Sequence, residues 1–134
     1  MSPMQLTKQL LKSEGWTFDV TERWNSFAHI RQDLFGFGDL IGVKQEELGA
    51  TIFQVTTGDH HAERVKKIRA NENAGQWLKS GNRIKVISWK EQRAPGRRTK
   101  FTSRVEEIRA LDLGRPGGGD ADHAGCNSVS AVAE

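Results

Sequence analysis

Asp39, Gln54 and Thr56 are the residues whose types and spacing suit chemistry. Gln54 and Thr56 stand two apart in FQVT, so on a strand they project from one face, with Ile52 before them. Asp39 lies in the preceding apolar run, GDLIGV, across an acidic turn that contains Gly49. A strand interior is a poor place for an unpaired carboxylate or amide, because a buried polar group without a partner costs about 1–3 kcal/mol. Either the protein supplies partners, with Asp39 capping a turn and Gln54 bonding to neighbouring backbone, or the cluster binds something. A carboxylate beside amide and hydroxyl oxygens suits Mg²⁺, which takes one or two carboxylates together with waters and phosphate oxygens.

The elements that must position these groups follow from periodicity. Leu6, Leu10 and Leu11 recur at helical spacing before Gly15, which predicts a short first helix. Trp16, Phe18 and Val20 alternate with Thr17, Asp19 and Thr21, the period of a half-buried strand, with Glu22 at its end. A second strand is expected from about Gly36 to Lys44, and a third over Thr51 to Thr57 pairs back on it as a hairpin. Gly58 and Asp59 open a helix that runs to Gly81, with Asp59 as its N-cap and His61, Val65, Ile68 and Glu72 on one side. NRIKVISWK is apolar on both faces, Ile84 and Val86 against Ile87 and Trp89, which predicts a strand inside the sheet. FTSRVEEI reads as a final edge strand. The order α-β-β-β-α-β-β describes an α/β fold, a mixed sheet with a helix packed on each side.

With 134 residues and 36% hydrophobic content, the chain is expected to form one domain over residues 1–113. Residues 114–134, GRPGGGDADHAGCNSVSAVAE, lack periodicity and read as a flexible tail. The net charge of +3 is compatible with polyanion binding without requiring it. No apolar run approaches the roughly 18 residues of a membrane helix, and the first residues lack a signal-peptide core, so a cytoplasmic protein is expected. The single cysteine, Cys126, forbids an intrachain disulfide and a cysteine-based zinc site, which fits a reducing compartment. In the tail, Asp120, Asp122, His123 and Cys126 lie close together, but nothing around them would fix a metal geometry.

The element order over about Met4 to Trp89 resembles the core of the PD-(D/E)xK nuclease superfamily, which includes type II restriction enzymes and Holliday-junction resolvases. The matching pieces are GDLIGV, whose Asp39 looks like the motif aspartate, and FQVT, whose Gln54 and Thr56 stand in the places of the second acid and the lysine. The chain is similar to small bacterial and phage members with a DLFGFxDL stretch and a Q-V-T strand. The resemblance implies a restriction-endonuclease-like core that hydrolyses DNA, branched DNA included, with Mg²⁺ or Mn²⁺, and family members that often act as homodimers. It implies metal ligation by Asp39, Gln54 and the backbone carbonyl of Val55; the nearest candidates for a second carboxylate are Asp33, in the DLFG stretch that carries the resemblance, and Glu22 at the end of the first strand, unless they serve a turn or a cap. Gln in place of the acid lowers the charge of such a site. Thr56 in place of the lysine removes the cation that stabilises charge on phosphorus, the electrostatic work that dominates phosphoryl transfer.

A substitute cation could come from the helix that follows. His61 sits at its N-terminal end, and Lys67 belongs to a stripe with His60 and Arg64 at i, i+4, i+7. Either His61 or Lys67 completes a catalytic set with Asp39, Gln54 and Thr56, or His61 is an interior histidine and the stripe is solvated surface. Arg64 and Lys66 on the helix, and Lys90, Arg93, Arg97, Arg98 and Lys100 in KEQRAPGRRTK, are the expected DNA-phosphate contacts. Trp16, Trp77 and Trp89 read as core, and Trp24, in WNSFAHIR, as exposed. Two other classes compete with a nuclease: a nuclease-like DNA-binding or assembly module without catalysis, and a small α/β protein-interaction domain.

Overall fold

The computed structural model describes residues 1–113 and 131–133. Helix α1 (Pro3–Ser13) starts at a reciprocal cap, in which the Ser2 hydroxyl accepts from the Gln5 amide and the Gln5 side chain accepts from the Ser2 amide. Strand β1 (Thr17–Val20) leads to a small hairpin, β2 (Arg23–Asn25) and β3 (Ile30–Gln32), and then to β4 (Leu40–Val43) and β5 (Thr51–Thr57). Helices α2 (His61–Arg69) and α3 (Glu72–Lys79) cross to β6 (Arg83–Gln92), followed by β7 (Lys100–Ile108) and a short β8 (Ala131–Ala133). The main sheet has the order β1-β4-β5-β6-β7-β8. Only the β5–β6 pair is parallel, because only that pair is joined by a helical crossover.

The sheet separates two apolar layers. On one face Leu6 and Leu11 of α1 pack with Trp16, Leu40, Phe53, Ile87 and Trp89, and the Trp89 indole donates to the Thr7 hydroxyl at 2.8 Å. On the other, Val65 and Ile68 of α2 and Ala74 of α3 cover Phe37, Ile52, Ile84, Val86 and Ile108. This is the expected α/β architecture, a mixed sheet flanked by helices, and β6 is buried on both faces along most of its length.

The details depart from expectation in five places. The sequence pattern gave no strands between Trp24 and Asp33, where the structure forms the β2–β3 hairpin. The second strand begins at Leu40 rather than Gly36, because Leu34–Gly38 closes into a turn bridged by two bonds of 2.8 Å. The expected long helix is two: the Asn71 side chain accepts from the Asn73 amide and starts a new helix, which leaves Glu72 exposed in its first turn rather than on the buried side. Asp59 is not the N-cap; Gly58–His60 forms a 3₁₀ turn and α2 begins at His61. β7 is not the outermost strand either, since Ala131–Ala133 pairs along it. The rest of the expected tail, with Asp120, Asp122, His123 and Cys126, lies outside the described residues.

Candidate metal and phosphate site

The site is built on the turn DLFGFGD, Asp33 to Asp39. Phe35 and Gly36 both adopt left-handed backbone, φ 55° and 87°, so the chain reverses within the three residues that separate Leu34 from Gly38. Gly38 has no room for a side chain: a Cβ would lie 2.8 Å from Ile52 Cγ2 and 3.1 Å from Leu34 Cβ. Phe37, fully buried, anchors the turn to the core. Beyond the turn, the Asp39 amide donates to the Phe53 carbonyl and the Asp39 carbonyl accepts from Thr21, both at 2.9 Å. Asp39 is thereby fixed between β1 and β5, at the entry to β4.

Two further carboxylates arrive through the β2–β3 hairpin. Glu22 directly precedes β2 and Asp33 directly follows β3, so closing the hairpin brings both to Asp39. One oxygen from each of Glu22, Asp33 and Asp39 lies within 4.8 Å of the others. Asp39 Oδ2 accepts from the Gln54 side-chain amide at 2.7 Å and from the Val55 backbone N–H at 2.8 Å. Gln54 Oε1 is buried without a hydrogen-bond partner. The N–H and carbonyl of one strand residue point to the same edge, so the Val55 carbonyl shares the edge that faces Asp39, past the end of β4.

Desolvation is the main reason the Asp39 carboxyl is pushed up to about 8, against the lowering effect of the Val55 N–H, with the Asp33 and Glu22 charges adding to the rise. Like charges this close repel and favour the protonated form of the buried member, Asp39, while Glu22 is half-buried and already faces the Arg31 guanidinium. The three carboxylates are donors of the kind a hard cation takes, and the Gln54 amide, which turns its nitrogen to Asp39, would have to rotate to add a neutral oxygen.

Beside the carboxylates opens a cleft of about 760 Å³ whose walls include Asp33, Arg23, Arg31 and Lys67. Arg31 is bonded to Glu22 at 2.9 Å. Lys67 reaches this cleft from α2. His61, the other expected source of a cation, does not join it. Its Nδ1 lies 2.6 Å from the Ser88 hydroxyl and its Nε2 2.9 Å from Glu106, so both ring nitrogens are engaged over β6 and β7. The His61 hydrogen bond holds the Glu106 carboxyl below the usual range against the opposing effect of burial, and Arg104 and Arg69 add to the lowering. Thr56 lies buried on the Gln54 face and pairs in register with Ser88, so the lysine position of the resembled motif carries no charge.

The expected phosphate contacts divide. Lys90, Arg93, Arg97, Arg98 and Lys100 are all exposed on the β6–β7 hairpin, though Arg93 is paired with Glu91 at 2.9 Å. That hairpin projects past the carboxyl ends of β5 and β6, roughly 20 Å along the strand direction from the level of Gln54. On α2, Lys66 is exposed and Arg64 half-buried. Sequence reasoning missed Arg23, Arg31, Ser88 and Glu106. The first two had a local signal, since RWN and IRQ flank a turn opened by Asn25, whereas Ser88 and Glu106 had none. No family model, curated protein or solved structure matches the chain. Among the described residues, no helix is long and apolar enough to cross a membrane.

Proposed function

We propose that this chain is a divalent-metal-dependent phosphodiesterase that hydrolyses DNA, with a restriction-endonuclease-like core. The observation that carries the reading is the convergence of Glu22, Asp33 and Asp39, with the Gln54 amide bonded to Asp39, at the wall of a cleft bearing Arg23, Arg31 and Lys67. Asp39, Asp33 and Glu22 would hold Mg²⁺ or Mn²⁺, with Gln54 Oε1 and the Val55 carbonyl as neutral ligands. Bound there, such an ion supplies Lewis-acid stabilisation of a phosphoryl oxygen and a water acidified for attack. Lys67 and Arg23 face the same cleft and bind the non-bridging phosphate oxygens, the task that Thr56 cannot perform. Lys90, Arg97, Arg98 and Lys100 grip the flanking backbone without reading sequence.

A second reading, a nuclease-like module that binds DNA without cutting it, is favoured by the uncharged Thr56 alone. Titration calorimetry with Mn²⁺ on wild type and Asp39→Ala, followed by plasmid nicking in Mn²⁺, separates the readings. Binding lost in the variant together with nicking by wild type supports the enzyme. Binding without nicking on supercoiled, branched and single-stranded DNA leaves the module, and equal Mn²⁺ binding by both proteins removes the metal site.

A further inference from the structure

We infer that the hairpin Arg23–Gln32 is a stacking platform for unpaired bases, so that the chain takes a single strand, or the unpaired stretch of a branched or frayed duplex, at the acidic cluster. The inference rests on the proposed metal site for what lies at the hairpin's base, and on the hairpin's own surface for binding.

A surface ribbon ordinarily turns its large apolar residues to the core. Here Trp24 is 60% exposed, Ile30 51% and Phe27 98%. The backbone that carries them is ordered: Asn25 Oδ1 accepts from the Phe27 and Ala28 amides at 3.0 and 3.1 Å, which fixes the turn. The Trp24 ring meets the His29 ring edge-on at 6.4 Å between centroids. Cationic and aromatic side chains interleave through RWNSFAHIR, and the cations continue into the cleft, which Arg23 and Arg31 line. A ligand that alternates flat ring faces with anionic phosphates fits that pattern, and every base has a π-face to offer.

The hairpin's ends tie the platform to the chemistry. Glu22 and Asp33 are its two flanking residues, and both belong to the acidic cluster. Phe27 lies five residues from Glu22, at most roughly 17 Å along extended chain, so a base stacked near Phe27 lies within about five nucleotides of the carboxylates at 3.4 Å per stacked step. In a blunt duplex the bases are stacked on one another and only the two end pairs present a free face, so the rings would have far less to engage.

Fluorescence anisotropy in EDTA, with labelled oligo(dT), a blunt duplex and a duplex carrying a single-stranded tail, tests this. Wild type should bind oligo(dT) and the tailed duplex at least about tenfold more tightly than the blunt one. Trp24→Ala combined with Phe27→Ala should weaken oligo(dT) binding about ten- to a hundredfold and remove the preference, while Mn²⁺ binding by calorimetry is unchanged. Trp24→Phe, which keeps a ring, should stay within about threefold of wild type, and Phe27→Ser, at a fully exposed tip, serves if the double variant melts early. Equal oligo(dT) affinity in wild type and double variant would overturn the platform while leaving the metal reading intact. Ring-dependent binding in a protein that takes up no Mn²⁺ would support the platform and sink the metal reading. A concentration-dependent dimer that the double variant dissolves, with nucleotide affinity unaltered, would assign the rings to self-association and overturn the inference.

Discussion

With its carboxyl pushed up to about 8, mainly by burial, Asp39 keeps a proton at neutral pH that the unfolded chain, titrating near 3.8, has already lost. Its contribution to stability is therefore fully present below about pH 4 and is lost as pH rises towards 8, with a slope of up to about 1.4 kcal/mol per pH unit. Urea midpoints measured in chelator should fall across that window. Asp39→Asn should flatten the fall, and Mn²⁺ should reverse it, because the cation takes the proton's place; a wild-type midpoint that does not move with pH would contradict this. Glu106 has the opposite sign: held below its ordinary 4.5 chiefly by the His61 hydrogen bond, it gives stability that is lost as pH falls below that value. His61→Ala leaves Ser88 and Glu106 without their buried partner and should cost about 2–4 kcal/mol, with Mn²⁺ affinity retained. Loss of Mn²⁺ binding or nicking in a well-folded His61→Ala protein would instead give the imidazole a part in the chemistry.

Elements matter here chiefly where they end. The Leu34–Gly38 turn decides whether Asp33 and Asp39 face each other, and it closes only because residue 38 has no side chain to meet Ile52 and Leu34. Gly38→Ala should cost about 1–3 kcal/mol through overpacking. The same substitution should weaken Mn²⁺ binding more than tenfold, since relief of the clash must shift the next residue, Asp39. Gly15 offers a comparison: an added Cβ there meets nothing within 4 Å, so Gly15→Ala carries only the cost of its φ of 86° and should leave Mn²⁺ binding alone. Calorimetry on the two variants separates site distortion from general destabilisation. The break between α2 and α3 also has a positional effect, because the Asn71 side chain that starts α3 donates to the Phe35 carbonyl at 3.0 Å and ties the helix junction to that turn.

Across the whole molecule, a net charge of +3 is too small to define a binding face, so distribution decides. Replacing Arg97, Arg98 and Lys100 with Ala should lower the slope of log affinity for DNA against log salt by up to about one per lost contact; an unchanged slope would reduce the β6–β7 hairpin to solvated surface. What the sequence by itself determined was local and periodic. The shared face of Ile52, Gln54 and Thr56 follows from strand geometry, the pairing of the Asp39 and Gln54 strands from a short turn, and the interior place of β6 from apolar residues on both its faces. Trp24's exposure was legible too, from its polar neighbours. Tertiary structure alone decided which groups met. The carboxylates of Glu22 and Asp33 reach Asp39 only through a hairpin whose three-residue strands are too short to show a period. His61 and Glu106, 45 residues apart, meet only after β7 has paired with β6, so nothing near His61 in the chain could show that its ring would be spent on Ser88 and Glu106 while Lys67, on the same helix, faced the cleft. Periodicity is a property of a few neighbouring residues, whereas a site assembled across strands depends on where distant segments close, and that is set by the packing of the whole sheet.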